Sequence, residues 1–106
     1  MGVGANVLPM PMNDANLKRR IAAVAADSAH VQFTAHARKR MRERRVIASQ
    51  VIEALCKGNI SERAHQNIHG NWQCTLERVV AGDRIRVAAA LVEHDGESVV
   101  VVTVMR

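Results

Sequence analysis

Apolar positions follow two rhythms along the chain, and the change falls at Gly58. Before it they recur every three or four residues, the spacing of an amphipathic helix. After it, Val, Ile and Thr alternate with polar residues, the spacing of a half-buried strand. In "NDANLKRRIAAVAADSAH", Leu17, Ile21, Val24 and Ala25 share one helical face and Asn13 or Asp14 is placed to cap it, so a helix is predicted over residues 14–28. "FTAHARKRMRERRV", residues 33–46, reads as a second helix, capped by Thr34 with Phe33 just outside. Ala37 and Met41 fall on one side of it, and His36, Arg40 and Arg44, spaced by four, line up on another. In "IASQVIEALCKG", a third helix directs Ile47, Val51, Ile52 and Leu55 inward and stops at Gly58. The second and third helices are expected to form a helical hairpin.

Strands are predicted near 60–65, 71–80, 84–94 and 98–105. "HDGE" is an Asp-Gly hairpin signal that puts Asp95 and Gly96 at the tip. With His94 opposite Glu97, the register sets Ala88 opposite Thr103 and Arg86 opposite Met105, with Arg86 diagonal to Thr103. One face then collects Ile85, Val87, Ala89, Leu91, Val100, Val102 and Val104, a core face for the helices. The other collects Arg84, Arg86, Ala88, Ala90, Val99, Val101, Thr103 and Met105. A second two-residue turn in "AGD" would add Gln73, Thr75 and Glu77 to that second face, a plausible shallow groove. The expected architecture is α+β: N-terminal helices with a helical hairpin packed on one face of a three- to four-stranded antiparallel sheet.

Length narrows this to one domain over residues 13–106 of the 106, preceded by a Gly- and Pro-containing tail at 1–12. Hydrophobic residues make up 48% of the chain, enough for a packed interior, yet Phe33 and Trp72 are the sole aromatics, which speaks against a base-stacking platform. A formal charge of +5 points to a polyanionic partner, RNA or another nucleic acid. Cys56 and Cys74, without an export signal or an apolar run of membrane length, fit reduced thiols in a cytoplasmic protein with no membrane partner.

Three groups of residues could carry chemistry. Along His36, Arg40 and Arg44, a histidine can move protons and arginines can hold a phosphodiester and its transition state. RNA cleavage without a metal needs little more, since the substrate's 2′-hydroxyl is the nucleophile; the competing reading is a solvated basic helix. Arg86 and Thr103 could clamp phosphate on the sheet, or Arg86 could simply pair across strands with Glu77. His65 and His69 lie between Cys56 and Cys74, but their spacing matches no usual structural zinc site. Arg38, Lys39, Arg44 and Arg84 are further candidates for nucleic-acid contact, and Arg42 and Arg45, with Arg38, read as general electrostatics. No glycine-rich phosphate loop, carboxylate pair or Ser-His-Asp arrangement is visible, and no cofactor is expected.

From Phe33 to Arg106 the chain resembles the bacterial domain-of-unknown-function family 4258. Phe33, Thr34, His36, Arg40, Met41, Arg44, Val46, Val51, Leu55, Gly58, Arg86, Val87 and Thr103 carry the resemblance. Ile47 stands where a Ser or Thr cap is usual. That family is similar to the group of small nucleases and toxins that includes barnase and the RelE and ParE toxins. The resemblance implies a toxin-like, metal-independent ribonuclease. His36 would be general acid or base, Arg40 and Arg86 phosphate or transition-state ligands, and Thr103 a polar support. The implied partners are RNA, including ribosome-associated RNA, and an antitoxin-like protein. Fold alone does not fix this, and a non-catalytic basic module that binds nucleic acid or a protein is the alternative.

Overall fold

The computed structural model describes residues 12–105, without the side chains of Val104 and Met105. The expected tail at 1–12 therefore lies, but for Met12, outside the described residues. The order is α1 (Asp14–Ala25), a 3₁₀ turn (Ser28–His30), β1 (Val31–Phe33), α2 (Ala35–Arg44), α3 (Ala48–Lys57), β2 (Asn59–Gln66), β3 (Trp72–Val80), β4 (Asp83–His94) and β5 (Glu97–Met105).

Asn13 starts α1: its side-chain oxygen accepts the Asn16 N–H at 2.8 Å. The helix ends at Ala25 rather than Ser28 because Asp27 turns the chain, accepting the Ala29 N–H at 3.0 Å and opening the 3₁₀ turn. Leu17, Ile21 and Ala25 are fully buried, so α1 belongs to the core. Thr34 caps α2 as expected, accepting the Ala37 N–H at 3.1 Å. Its buried residue is Ala37. At the start of α3, Ile47 offers no side-chain acceptor, and Gln50 Oε1 instead takes the Ile47 N–H at 3.0 Å.

Two helical expectations need correction. Ile47 points outward, with 62% of its surface exposed, because it is the cap residue and sits before the helical turn that buries Val51, Ala54 and Leu55. Nor do α2 and α3 pair as a hairpin: α3 lies on α1, β3 and β4, whereas α2 lies against β5 and β1. Gly58 ends α3 in ordinary extended backbone, φ −72°. A glycine is still required, since a Cβ would come within 2.3 Å of the Ala54 carbonyl oxygen and 3.0 Å of the Glu77 carbonyl oxygen.

Among the described residues the sheet has five strands in the order β1-β5-β4-β3-β2, mixed rather than wholly antiparallel, because β1 runs parallel to β5 with Val31 opposite Val100 and Phe33 opposite Val102. Both tight turns have two central residues with positive φ, Ala81 and Gly82 at 52° and 86°, Asp95 and Gly96 at 51° and 80°. That is the turn whose twist suits a hairpin. It puts Glu77 opposite Arg86 and Thr75 opposite Ala88.

The β4–β5 register follows the arithmetic from the tip to Ala89 opposite Val102, then shifts. Ala88 faces Val104 and Val87 faces Met105, so the expected pairs Ala88–Thr103 and Arg86–Met105 do not form. Thr103 is the extra residue of a β-bulge. The core face holds Cys74, Leu76, Ile85, Val87, Ala89, Val100 and Val102, packed with the buried residues of all three helices and Val46. The expected place of Val104 on that face concerns a side chain outside the described residues.

Candidate functional site

The bulge joins α2 to the β4–β5 hairpin, which lies far from it in sequence. Thr34, after accepting from Ala37, donates its hydroxyl to the Thr103 carbonyl at 3.2 Å, and its N–H donates to the Val102 carbonyl at 3.1 Å. Thr103 in turn donates its hydroxyl to the Ala88 carbonyl on β4 at 3.1 Å. The entrance of α2 is thus tied to β5, and β5 to β4. His36 lies two residues past Thr34, and Arg86 two residues before Ala88 on the same face of the strand. Arg86 thus lies on the face of β4 opposite Ile85, Val87 and Ala89, which pack with the helices.

His36 is exposed on the first turn of α2, one helical turn before Arg40. Arg40 makes an ion pair with Glu43, Nη1 to Oε1 at 3.7 Å, with both side chains nearly half exposed. Arg44 and Lys39 are exposed on α2. Arg86 is held by Glu77, whose Oε1 lies 3.2 Å from Nε. That contact is an ion pair without a hydrogen bond: the buried Nε–H is not directed at the oxygen and has no acceptor among the described residues. Glu77 also lies 3.6 Å from Arg84 Nε, so one carboxylate serves two arginines across the strand pair. Thr103 acts through the backbone as a strut, its hydroxyl being engaged with Ala88.

Glu77 is the residue whose importance the sequence reading understated. Its signal was present in the "AGD" turn, which fixes Glu77 opposite Arg86 by register alone. Nearby, Thr75 donates to Glu62 Oε1 at 2.6 Å. The Cys56, His65, His69 and Cys74 group is not assembled. Cys74 is buried on β3, Cys56 donates weakly to the Ala22 carbonyl at 3.8 Å, and His65 Nδ1 faces the Arg63 carbonyl at 3.0 Å. Among the described residues no group of His, Cys, Asp or Glu stands where it could hold a metal ion. Burial pushes the Cys56 thiol upward, with Lys57 opposing the shift. Among the described residues no helix is long and apolar enough to cross a membrane.

The other flank of α2 behaves differently. Arg38, Arg42 and Arg45, set aside above as general electrostatics or, for Arg38, as a nucleic-acid contact, surround an open groove of about 440 Å³ with Met41, Val46 and Ile47. Arg45 closes α2 in left-handed backbone, φ 57°, and its N–H returns to the carbonyls of Met41 and Arg42. No curated protein and no solved structure matches the chain. The model of the family described as Domain of unknown function (DUF4258) matches residues 33–106, everything from the last residue of β1 onward, and the chain belongs to that family.

Proposed function

We propose that this chain is a toxin-like, metal-independent ribonuclease domain, related in scaffold to barnase and the RelE and ParE toxins, and that RNA is cleaved beside the tie between α2 and the β4–β5 hairpin. The observation that carries the proposal is the threonine relay: Thr34 to the Thr103 carbonyl at 3.2 Å, then Thr103 to the Ala88 carbonyl at 3.1 Å. It ties the segment that leads into His36 to β5, and β5 to the strand that carries Arg86, and in this reading both side chains reach one phosphodiester from there.

In the proposed reaction the 2′-hydroxyl of RNA attacks the adjacent phosphorus while the bond to the 5′-oxygen breaks. His36 takes the hydroxyl proton or supplies one to the leaving oxygen, and water exchanges the other proton. Arg40 and Arg86 bind the non-bridging oxygens as negative charge grows on them. Lys39, Arg44 and Arg84 follow the flanking phosphates. The products are a 2′,3′-cyclic phosphate and a 5′-hydroxyl. The ion pairs of Arg40 with Glu43 and Arg86 with Glu77 are partly solvated and individually weak, so a phosphodiester can compete for both arginines.

Those same ion pairs favour a second reading, an RNA- or protein-binding module without catalysis, because in it the arginines need not release their carboxylates. Labelled RNA incubated with the purified protein in EDTA separates the two. The ribonuclease reading expects cyclic-phosphate products and a loss of about 10²–10⁴-fold in rate with His36→Ala, with a comparable loss for Arg86→Ala. Intact RNA retained by the protein, with retention falling steeply as salt rises, supports the binding module instead.

A further inference from the structure

We propose that the groove between the end of α2 and the start of α3 docks an acidic, aliphatic-anchored segment of another protein. It lies on the opposite flank of α2 from the His36, Arg40 and Arg44 row and stands independently of the ribonuclease reading. Successive helical residues turn by about 100°, so Arg38, Arg42 and Arg45 cluster on one side of the Ala37–Met41 stripe and His36, Arg40 and Arg44 on the other.

The floor of the groove is aliphatic. Val46 is buried, Met41 is half-buried against the core, and Ile47 stands 62% exposed at the rim. Its volume of about 440 Å³ is in the range of clefts that hold ligands. The walls are cationic. Arg38 donates from Nε to the Phe33 carbonyl at 3.4 Å, and none of Arg38, Arg42 and Arg45 has an acidic partner among the described residues. Among the described residues these three arginines have no counter-charge, although Glu43, on the same helix, is paired with Arg40.

Ile47 adds a second, independent observation. It occupies the N-cap of α3 with φ −102° and ψ 162°, the backbone in which a serine would accept an N–H of the first turn. An isoleucine there gives up cap energy and also exposes apolar surface. Departures from local consistency of this kind concentrate at functional sites. An aliphatic centre ringed by arginines is the arrangement of a protein interface, in which an apolar anchor enters a pocket and charged groups pair around it. Carboxylates meet guanidinium groups bidentately. Nucleic acid fits less well, because the groove contains no aromatic ring for a base to stack on.

The test uses a fluorescein-labelled helical peptide carrying two leucines one turn apart, flanked by glutamates, titrated into the full chain and followed by anisotropy. Saturable binding is expected, lost when the glutamates are replaced by lysine and weakened about tenfold in each of Ile47→Ser and Arg42→Ala. Ile47→Ser gains a cap acceptor, so its melting temperature should equal or exceed that of the parent, which separates lost binding from lost folding. RNA cleavage or retention should be unchanged in both variants, whereas His36→Ala should leave peptide binding intact. Absence of saturable binding overturns the proposal. So does undiminished binding by Ile47→Ser, displacement of the peptide by a short single-stranded RNA, or self-association of the chain that Ile47→Ser abolishes, which would make the occupant a second copy.

Discussion

Cys74 shows how much a single side chain can depend on its place in the sheet. It alternates with Thr75 on β3, and that alternation puts the thiol on the core face, fully buried, while the hydroxyl goes to the other side. Burial raises the thiol from 9.0 to about 11, and the carboxylate of Asp14 adds to the rise. The neutral thiol is therefore the form that the fold accepts. The folded value lies above the unfolded one, so this contribution is complete below about pH 9 and is lost as pH climbs towards 11, where the unfolded chain ionises first. Urea unfolding at pH 8 and at pH 11 should show the parent losing roughly 2 kcal/mol more than Cys74→Ala over that interval. Equal losses would mean that the thiol is not desolvated. The same alternation made Arg86 and Glu77 legible as neighbours from the sequence. The failure of the Arg86 Nε–H to point at its partner was not legible, since register specifies which residues meet and says nothing of the angle at which they do so.

Among the elements, those that follow from periodicity and turn chemistry emerged within a residue or two: α2, α3 and the four long strands, with Asp95-Gly96 and Ala81-Gly82 at the hairpin tips. What periodicity could not show are features that arise from contact. β1 has three residues, too few for an alternation to register, and becomes a strand through its parallel pairing with β5. The bulge at Thr103 leaves no mark in a Val-rich run whose two faces are both apolar, so a register counted from the tip holds to Ala89 and fails beyond it. The expected α2–α3 hairpin rested on adjacency in sequence, but the apolar stripe of α3 finds more to bury against α1 and the sheet. Thr34 links these elements. Thr34→Ala removes both the cap of α2 and the donor to the bulge, and should cost about 1–2 kcal/mol as a lower urea midpoint with an unchanged slope. Thr34→Ser retains the hydroxyl and should stay within about 0.5 kcal/mol of the parent. If the relay positions His36, Thr34→Ala should also lower RNA cleavage at temperatures where the variant is fully folded.

At the scale of the whole molecule, the family match begins at Phe33, whereas the hydrophobic core does not. Leu17, Ile21 and Ala25 of α1 are fully buried beside Val51, Leu55, Leu76 and Val87, and Val24 packs at the edge of the same cluster. α1 lies on α3 and reaches across β2 to β5, while Asp14 holds β2 by accepting the Ala64 N–H at 2.7 Å. Truncating one large buried aliphatic side chain typically costs about 2–5 kcal/mol, against a total stability of about 5–15 kcal/mol for a domain of this size. Removing α1 deletes Leu17 and Ile21 together, uncovers the apolar face of α3 and leaves part of the sheet without its helical layer. The loss is of the order of the whole stability. Without Val31 and Gln32, β5 also loses two of its three partners in β1. A chain reduced to residues 33–106 should therefore give no cooperative thermal transition and should bind a dye for exposed apolar surface, although it contains every family-matched residue. Restoring residues 12–32 should restore a single transition. A sharp, reversible transition in the short chain would show that the family-matched segment closes its own core and that α1 is an addition to it.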